Sequence, residues 1–231
     1  MNVLITGGTS GLGKELCKSF KENGYNVFYT YNTSIPDNNL GTGIKCDLNN
    51  EDEINNMLSK LDNIDVLINN AAVEIDKEFN EKTKEDFMHT LSVNLVAPFL
   101  ISRYIGNKMK ETNGVIINIS SNNAIDMYDP ITLEYDASKA GLINLSHNLA
   151  KALAPNVRVN TIVPGWIKTN KITELDNSLN NEFIKEESKK ILLNRFAEPN
   201  DICNLALFLA SDKANYINDA VIRIDGGING R

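Results

Sequence analysis

The sequence predicts a doubly wound α/β fold with a mostly parallel sheet flanked by helices. Three observations predict it. Short apolar runs alternate with helical patterns from one end of the chain to the other. A glycine-rich turn joins the first run to the first helical pattern. No linker, low-complexity tract or repeat interrupts the alternation, and 231 residues suit a single domain over 1–231.

Asn2–Thr6 is short, apolar and closed by glycine, as a buried parallel strand should be. Gly7-Gly8-Thr9-Ser10-Gly11-Leu12-Gly13 follows. Leu12, Leu16 and Phe20 at i, i+4, i+8 then mark a helix that Gly24 stops. Strand, glycine turn and helix open a Rossmann-type dinucleotide fold, in which N–H groups at a helix N-terminus hold a pyrophosphate. The spacing is Gly-x-x-x-Gly-x-Gly, not Gly-x-Gly-x-x-Gly, and an ordinary glycine-rich βα turn is the plain alternative. Asn26–Tyr31 reads as the second strand. Its end carries Asn32, Thr33 and Ser34, with no carboxylate before Asp37. A carboxylate there would bond a ribose 2′-hydroxyl and repel a 2′-phosphate. NADP(H) is therefore favoured over NAD(H), with Asn32, Thr33, Ser34 and Lys14 as candidate phosphate contacts.

Ile44–Cys46 is a third strand ending at Asp47, and Asn50 or Asn49 caps a helix running to about Lys60. Ile64–Ile68 is a fourth, followed by Asn69-Asn70-Ala71-Ala72, small residues suited to a ligand crevice at a strand's C-terminal end. Thr83-Lys84-Glu85-Asp86 caps a long helix to about Lys110, with Phe87, Leu91, Leu95 and Phe99 as its stripe and a kink at Pro98. Val115–Ser120 is a fifth strand and delivers Ser121 to the sheet's C-terminal edge. A helix then runs from near Leu133 to Ala154, and Arg158–Val163 is a sixth strand closed by Pro164-Gly165. Residues 166–190 are polar and weakly patterned, as a substrate loop or lid would be. Pro199-Asn200-Asp201 opens a helix through Leu209, and Val221–Ile224 is the final strand.

Composition narrows the classes. No basic region with a long apolar segment precedes Val3-Leu4-Ile5, and no run of about 18 apolar residues occurs. A cytoplasmic protein without a membrane partner is expected. The three cysteines form no C-x-x-C or metal-ligand pattern, so no metal is expected. A net charge of −7 argues against nucleic acid.

The chemistry points to Tyr135 and Lys139, one helical turn apart, where an ammonium can favour a phenolate. Tyr104 and Lys108 repeat the spacing, but late in the long helix with no strand-end hydroxyl near, and read as a surface pair. Tyr135 and Lys139 begin a helix 14 residues after Ser121, which stands at a strand end.

In these ordered motifs the chain resembles the short-chain dehydrogenase/reductase family. They are Thr6 to Gly13, Asn69-Asn70-Ala71-Ala72, Asn94, Asn118-Ile119-Ser120-Ser121, Tyr135 to Lys139, and Pro164-Gly165. The resemblance implies that Tyr135 exchanges a proton with the substrate oxygen and that Lys139 lowers the phenol's pKa and bonds the nicotinamide ribose. It implies that Ser121 holds the substrate oxygen and that Asn94 anchors a proton-relay water. The cofactor contacts implied are Gly7, Thr9, Ser10, Gly11, Leu12 and Gly13 in the turn, Asp47 and Leu48 at the adenine, and Asn70 and Ala71 on the adenosine side. Pro164, Gly165 and the Ile167 backbone then fall near the carboxamide, and Thr169 at the phosphates.

Three departures stand out. Asn-Asn-Ala-Gly of the family is Asn-Asn-Ala-Ala here, Ser121 to Tyr135 is one residue longer than the common spacing, and Asn218-Asp219 replaces Thr-Gly. His89 and His147 read as structural, and Trp166 as either pocket lining or packing. The stretches Asn194 to Pro199 and Phe208 to Asp212 look like those of 3-oxoacyl-(acyl-carrier-protein) reductases, so the leading expectation is reduction of a ketone or 3-oxoacyl group, small or borne on an acyl carrier. Lys168 and Lys171 would be needed as a basic patch for such a carrier. Sugar, steroid or other secondary-alcohol dehydrogenation with NAD(H), or a non-catalytic dinucleotide-binding regulator, are the alternatives. A homotetramer or homodimer is expected from the family.

Overall fold

The computed structural model describes residues 1–169 and 177–228. Seven strands are described: β1 (Asn2–Ile5), β2 (Asn26–Tyr31), β3 (Thr42–Lys45), β4 (Val66–Asn69), β5 (Val115–Ile119), β6 (Arg158–Pro164) and β7 (Val221–Ile224). They form one sheet in the order β3-β2-β1-β4-β5-β6-β7. Every neighbouring pair is parallel, with Ile5 beside Ile68 and Asn69 beside Asn118. The strand order reverses between β1 and β4, the place at which open α/β sheets bind ligands, outside the strands' C-terminal ends.

The helices are α1 (Gly11–Glu22), α2 (Glu51–Ser59), α3 (Lys84–Leu91), α4 (Ala97–Met109), α5 (Leu133–Leu153), α6 (Asn177–Lys189) and α7 (Pro199–Ala210). They cover both faces of the sheet, which is why residues 3–5, 66–68 and 115–117 read as unbroken apolar runs. On one face Leu16 and Phe20 of α1 and Ile202 and Leu209 of α7 pack over Ile5, Ile68 and Ile117. On the other, Ile54 and Met57 of α2, Ile101 of α4 and Leu149 and Leu153 of α5 pack over Leu4, Leu67 and Ile116. Each fully buried side chain of this size contributes about 1.5–3 kcal/mol.

Helix starts follow the capping chemistry. Asn50 accepts from the N–H groups of Asp52 and Glu53, and Thr83 forms a reciprocal capping box with Asp86. The long helix expected over 83–110 is not continuous: a π-helical turn, Ser92–Val96, separates α3 from α4. Pro98 was expected to kink the helix; the irregularity lies just before it. Pro98 has no N–H for the Asn94 carbonyl four residues back, so the wider turn falls at Asn94.

Residues 177–189, expected as part of a polar loop, are helical as α6; residues 170–176 of that stretch lie outside the described residues. The family's glycine before the last strand is Asp219 here, at φ 60°. Asp is among the residues that tolerate this left-handed region, so the turn is kept.

Candidate active site

The first wall of the crevice is the glycine turn between β1 and α1. Gly7 N–H donates to Thr30 Oγ1 at 3.0 Å and Gly8 N–H to the Thr30 carbonyl at 2.9 Å, tying the turn to β2. Thr6 Oγ1 accepts from the N–H groups of Asn70 and Ala71, each at 3.0 Å. Asn70 Nδ2 donates in return to the carbonyls of Thr6 and Gly7 at 3.0 and 3.3 Å. The Asn70 amide, expected along the adenosine, thus spends its donor on the turn. A Cβ on Gly13 would lie 2.0 Å from the Gly7 carbonyl oxygen, so this close approach requires glycine. A Cβ on Gly8 would lie 2.7 Å from Cys17 Sγ, directly beneath the turn.

Helix α1 begins with no side-chain cap and no acidic residue in its first turn. Its N-terminus faces a cleft of about 940 Å³ lined by Thr9, Ser10, Gly11, Lys14, Lys168 and Thr169, among others. Uncapped N–H groups, the positive end of the helix and Lys14 suit an anion such as a pyrophosphate. Leu12 turns its side chain into the core. Asn32, Thr33 and Ser34 are exposed just beyond β2, beside this turn. Asp37, the first carboxylate after β2, accepts from its own Asn39 N–H. Asp47 Oδ1 likewise accepts from Asn49 N–H, and Leu48 is buried next to it.

Beyond β6, Ile167 forms a parallel bridge with Ala197. Lys168 N–H and the Trp166 carbonyl make its two bonds, at 2.9 and 2.8 Å, which turns Ile167's own N–H and C=O away from Ala197. A Cβ on Gly11 would sit 3.6 Å from Thr169, so Thr169 faces the turn. A Cβ on Gly165, which follows Pro164 at the end of β6, would touch Asp225 at 2.9 Å.

The second wall is the β5 end with the first turns of α5. Lys139 Nζ donates to the Ile119 carbonyl at 2.8 Å, and Ser120 Oγ to the Lys139 carbonyl at 2.9 Å, so strand and helix are laced together. Ser121 lies at the strand end, its Oγ accepting from Asn123 N–H at 3.2 Å. Asn94, fully buried, donates from Nδ2 to Ser138 Oγ at 3.0 Å, and Ser138 Oγ donates to the Tyr135 carbonyl at 2.7 Å. The structure therefore brings Asn94, Ser121, Tyr135 and Lys139 to one place. Tyr104 is 38% exposed, with Lys108 over its ring, and is the surface pair expected.

Burial dominates the electrostatics of Tyr135 and Lys139. Burial, then the Glu74 carboxylate, push the Tyr135 phenol above its ordinary value, while a hydrogen bond from Ser121 opposes them. The Lys139 ammonium donates to the Ile119 carbonyl and lies over the phenol ring, 5.6 Å from its centre, and burial pulls its own pKa down to about 8.

The sequence also left out residues that build the site. Thr6 and Ser138 lie inside the motifs but were given no role of their own, and Thr30 lies outside them. Glu74 lies two residues after the Asn-Asn-Ala-Ala turn and acts on Tyr135 and Lys139 through its charge. Trp166 packs: it stacks on Phe196 with 5.6 Å between centroids and meets Phe183 edge-on at 5.5 Å. Lys168 is paired with Glu198 at 2.8 Å, which removes it as an uncompensated cation for an acidic carrier, and Lys171 lies outside the described residues.

A family model described as enoyl-(acyl carrier protein) reductase matches residues 7–229. A relative from Aquifex aeolicus named 3-oxoacyl-[acyl-carrier-protein] reductase FabG is 33% identical, over 97% of this chain and 96% of its own. The chain belongs to the short-chain dehydrogenase/reductase family.

It is an NAD(P)-dependent oxidoreductase of that family, similar to its 3-oxoacyl-(acyl-carrier-protein) reductases. Solved structures agree. The chain is similar to 4-hydroxyisoleucine dehydrogenase complexed with NADH at 31% identity and TM-score 0.87, covering 98% of this chain and 97% of the other. It is also similar to a blue fluorescent protein from a metagenomic library in complex with NADPH, at 26% identity and TM-score 0.86, covering 98% and 96%. Among the described residues no helix is long and apolar enough to cross a membrane, and no group of three or more His, Cys, Asp or Glu could hold a metal.

Proposed function

We propose that this short-chain dehydrogenase/reductase moves a hydride between NADP(H) and a carbonyl or secondary alcohol, with Tyr135 as its acid and base. The carrying observation is the convergence of Tyr135, Ser121 and the buried Lys139 at the end of β5. The nicotinamide supplies the hydride when bound. Ser121 holds the substrate oxygen, and Tyr135 gives it a proton in reduction or takes one in oxidation. Lys139 reaches the nicotinamide ribose. Asn94 supports the relay through Ser138, and Thr9 to Gly13 with Thr169 hold the phosphates. Asp47, Leu48, Asn70, Ala71, Pro164, Gly165 and the Ile167 backbone complete the dinucleotide's path. NADP(H) is preferred because Asn32, Thr33 and Ser34, with Lys14 across the turn, put no carboxylate at the end of β2.

The substrate class is a ketone or a 3-oxoacyl thioester, supported by the relative's name and the Asn194 to Pro199 stretch. The NADH-bound neighbour, a dehydrogenase of a hydroxylated amino acid by its name, favours a second reading as a secondary-alcohol dehydrogenase. A homodimer or homotetramer is supported by exposed Val96, Phe99 and Tyr104 along α4 and the turn before it; light scattering tests it. NADPH and NADH oxidation against a panel of ketones, 3-oxoacyl thioesters and oxo acids tests the function. Tyr135→Phe should lower kcat by about 10²–10⁴-fold. Undiminished turnover in that variant overturns the acid–base reading.

A further inference from the structure

Tyr135 is preceded in α5 by Glu134, whose side chain is wholly buried. Its partner is Lys82, 52 residues earlier and 8% exposed, with Nζ 2.6 Å from Glu134 Oε1. The same ammonium donates to the Ile75 carbonyl. Lys82 stands directly before Thr83, the cap of α3, and Ile75 directly follows Glu74.

As a stabilising device this pair is poor. Taking both ions out of water is costly, and Glu134 Oε2 is buried with no hydrogen-bond partner among the described residues. What the pair does is geometric: it joins the residue after Glu74 to the residue before Tyr135. The other flank of Glu74 is joined to the same helical turn. Val73 is bonded to Asn94, Asn94 to Ser138, and Ser138 Oγ to the Tyr135 carbonyl. Two straps thus run from the loop after β4 to the first turn of α5, one on each side of Glu74.

We propose that Lys82 and Glu134 are positioning residues for Tyr135, fixing its helical turn against the loop after β4 so that the phenol stands where a substrate oxygen can meet it. The proposal rests on the reading of Tyr135 as the proton donor and acceptor. A displacement on the order of 1 Å at a reacting group can cost about a hundredfold in rate, so a strap one residue away has leverage on kcat.

The test separates position from stability. The double variant Lys82→Met/Glu134→Leu removes both buried charges together, a change that is often neutral or stabilising. Expected are a melting temperature no lower than wild type, an unchanged NADPH dissociation constant, and a kcat lower by about tenfold or more with substrate KM within about threefold. Lys82→Arg, which keeps the cation, should restore most of kcat. A double variant that folds and turns over at the wild-type rate overturns the proposal. If the double variant does not fold, Glu134→Gln takes its place: a kcat lower by about fivefold or more at unchanged NADPH affinity supports the proposal, and one within about twofold overturns it. Tyr135→Phe is measured alongside. Loss of turnover there with wild-type rates in the pair variants removes only the positioning role, whereas retained turnover removes the acid–base reading beneath it.

Discussion

Asn94 grips Val73 by both backbone groups: Oδ1 accepts from Val73 N–H at 2.8 Å, and Nδ2 donates to the Val73 carbonyl at 2.9 Å. A side-chain amide here pairs with a peptide unit as another strand would. The π-helical turn that carries Asn94 sets its side chain beside the loop after β4, with Ser138 on its far side.

That grip predicts a stability cost. Asn94→Leu strips the partners from Val73 N–H and C=O, and each polar group left unpaired costs about 1–3 kcal/mol. Urea unfolding should show a lower midpoint. A midpoint equal to wild type would mean that Val73 finds other partners.

The buried Lys139 makes a pH prediction. Its folded pKa is about 8, below the roughly 10.4 of an unfolded lysine. Between those values the unfolded chain binds more protons at this site, so this residue's contribution to stability rises with pH across that window. Below pH 8 the cost of burying the ammonium is present in full. On the proposed contact of Lys139 with the ribose, cofactor affinity in the binary complex should run the other way, falling above pH 8 as the charge is lost. Lys139→Met should flatten both dependences in denaturation and fluorescence titrations.

Two glycines should answer differently to alanine. Gly13→Ala places a methyl 2.0 Å from the Gly7 oxygen, so the turn must shift, and NADPH affinity should fall by about tenfold or more. Gly24 sits at φ +82° in open space. Gly24→Ala should cost about 1–2 kcal/mol of stability from the left-handed backbone and leave NADPH affinity unchanged. Equal affinity losses in both variants would show that the turn does not hold the phosphates.

Asn32→Asp tests the cofactor preference. A carboxylate at the end of β2 would meet a 2′-phosphate at close range, so the NADPH dissociation constant should rise by about tenfold with NADH little changed. A variant that still prefers NADPH unaltered would place the 2′-phosphate elsewhere.

Much of this was legible beforehand because the strands are short and most are apolar and closed by a small or turn-forming residue. The limits of β2 and β7 and the caps at Asn50 and Thr83 follow from such local chemistry. What was illegible depends on contacts between distant residues. The π turn has no periodicity distinct from the α-helix around it, so Pro98 announced an irregularity without its place. Lys82 and Glu134 each look like a surface charge, and only the packing of α3 on α5 buries them. Spacing along the helix set Lys139 beside the Tyr135 ring, where it lies, but gave no sign of its bond to the Ile119 carbonyl, 20 residues earlier.

Cys17 lies under Gly8 in the core between α1 and the sheet, its thiol pushed up to about 12 by burial. Almost no thiolate exists there at neutral pH, and no reagent reaches it while α1 stays seated. The molecule thus carries an internal clock: the rate at which Cys17 is alkylated counts how often the first helix lifts away. A dinucleotide resting on the turn above should slow that clock in proportion to its occupancy, so binding becomes readable as a labelling rate with no substrate in hand.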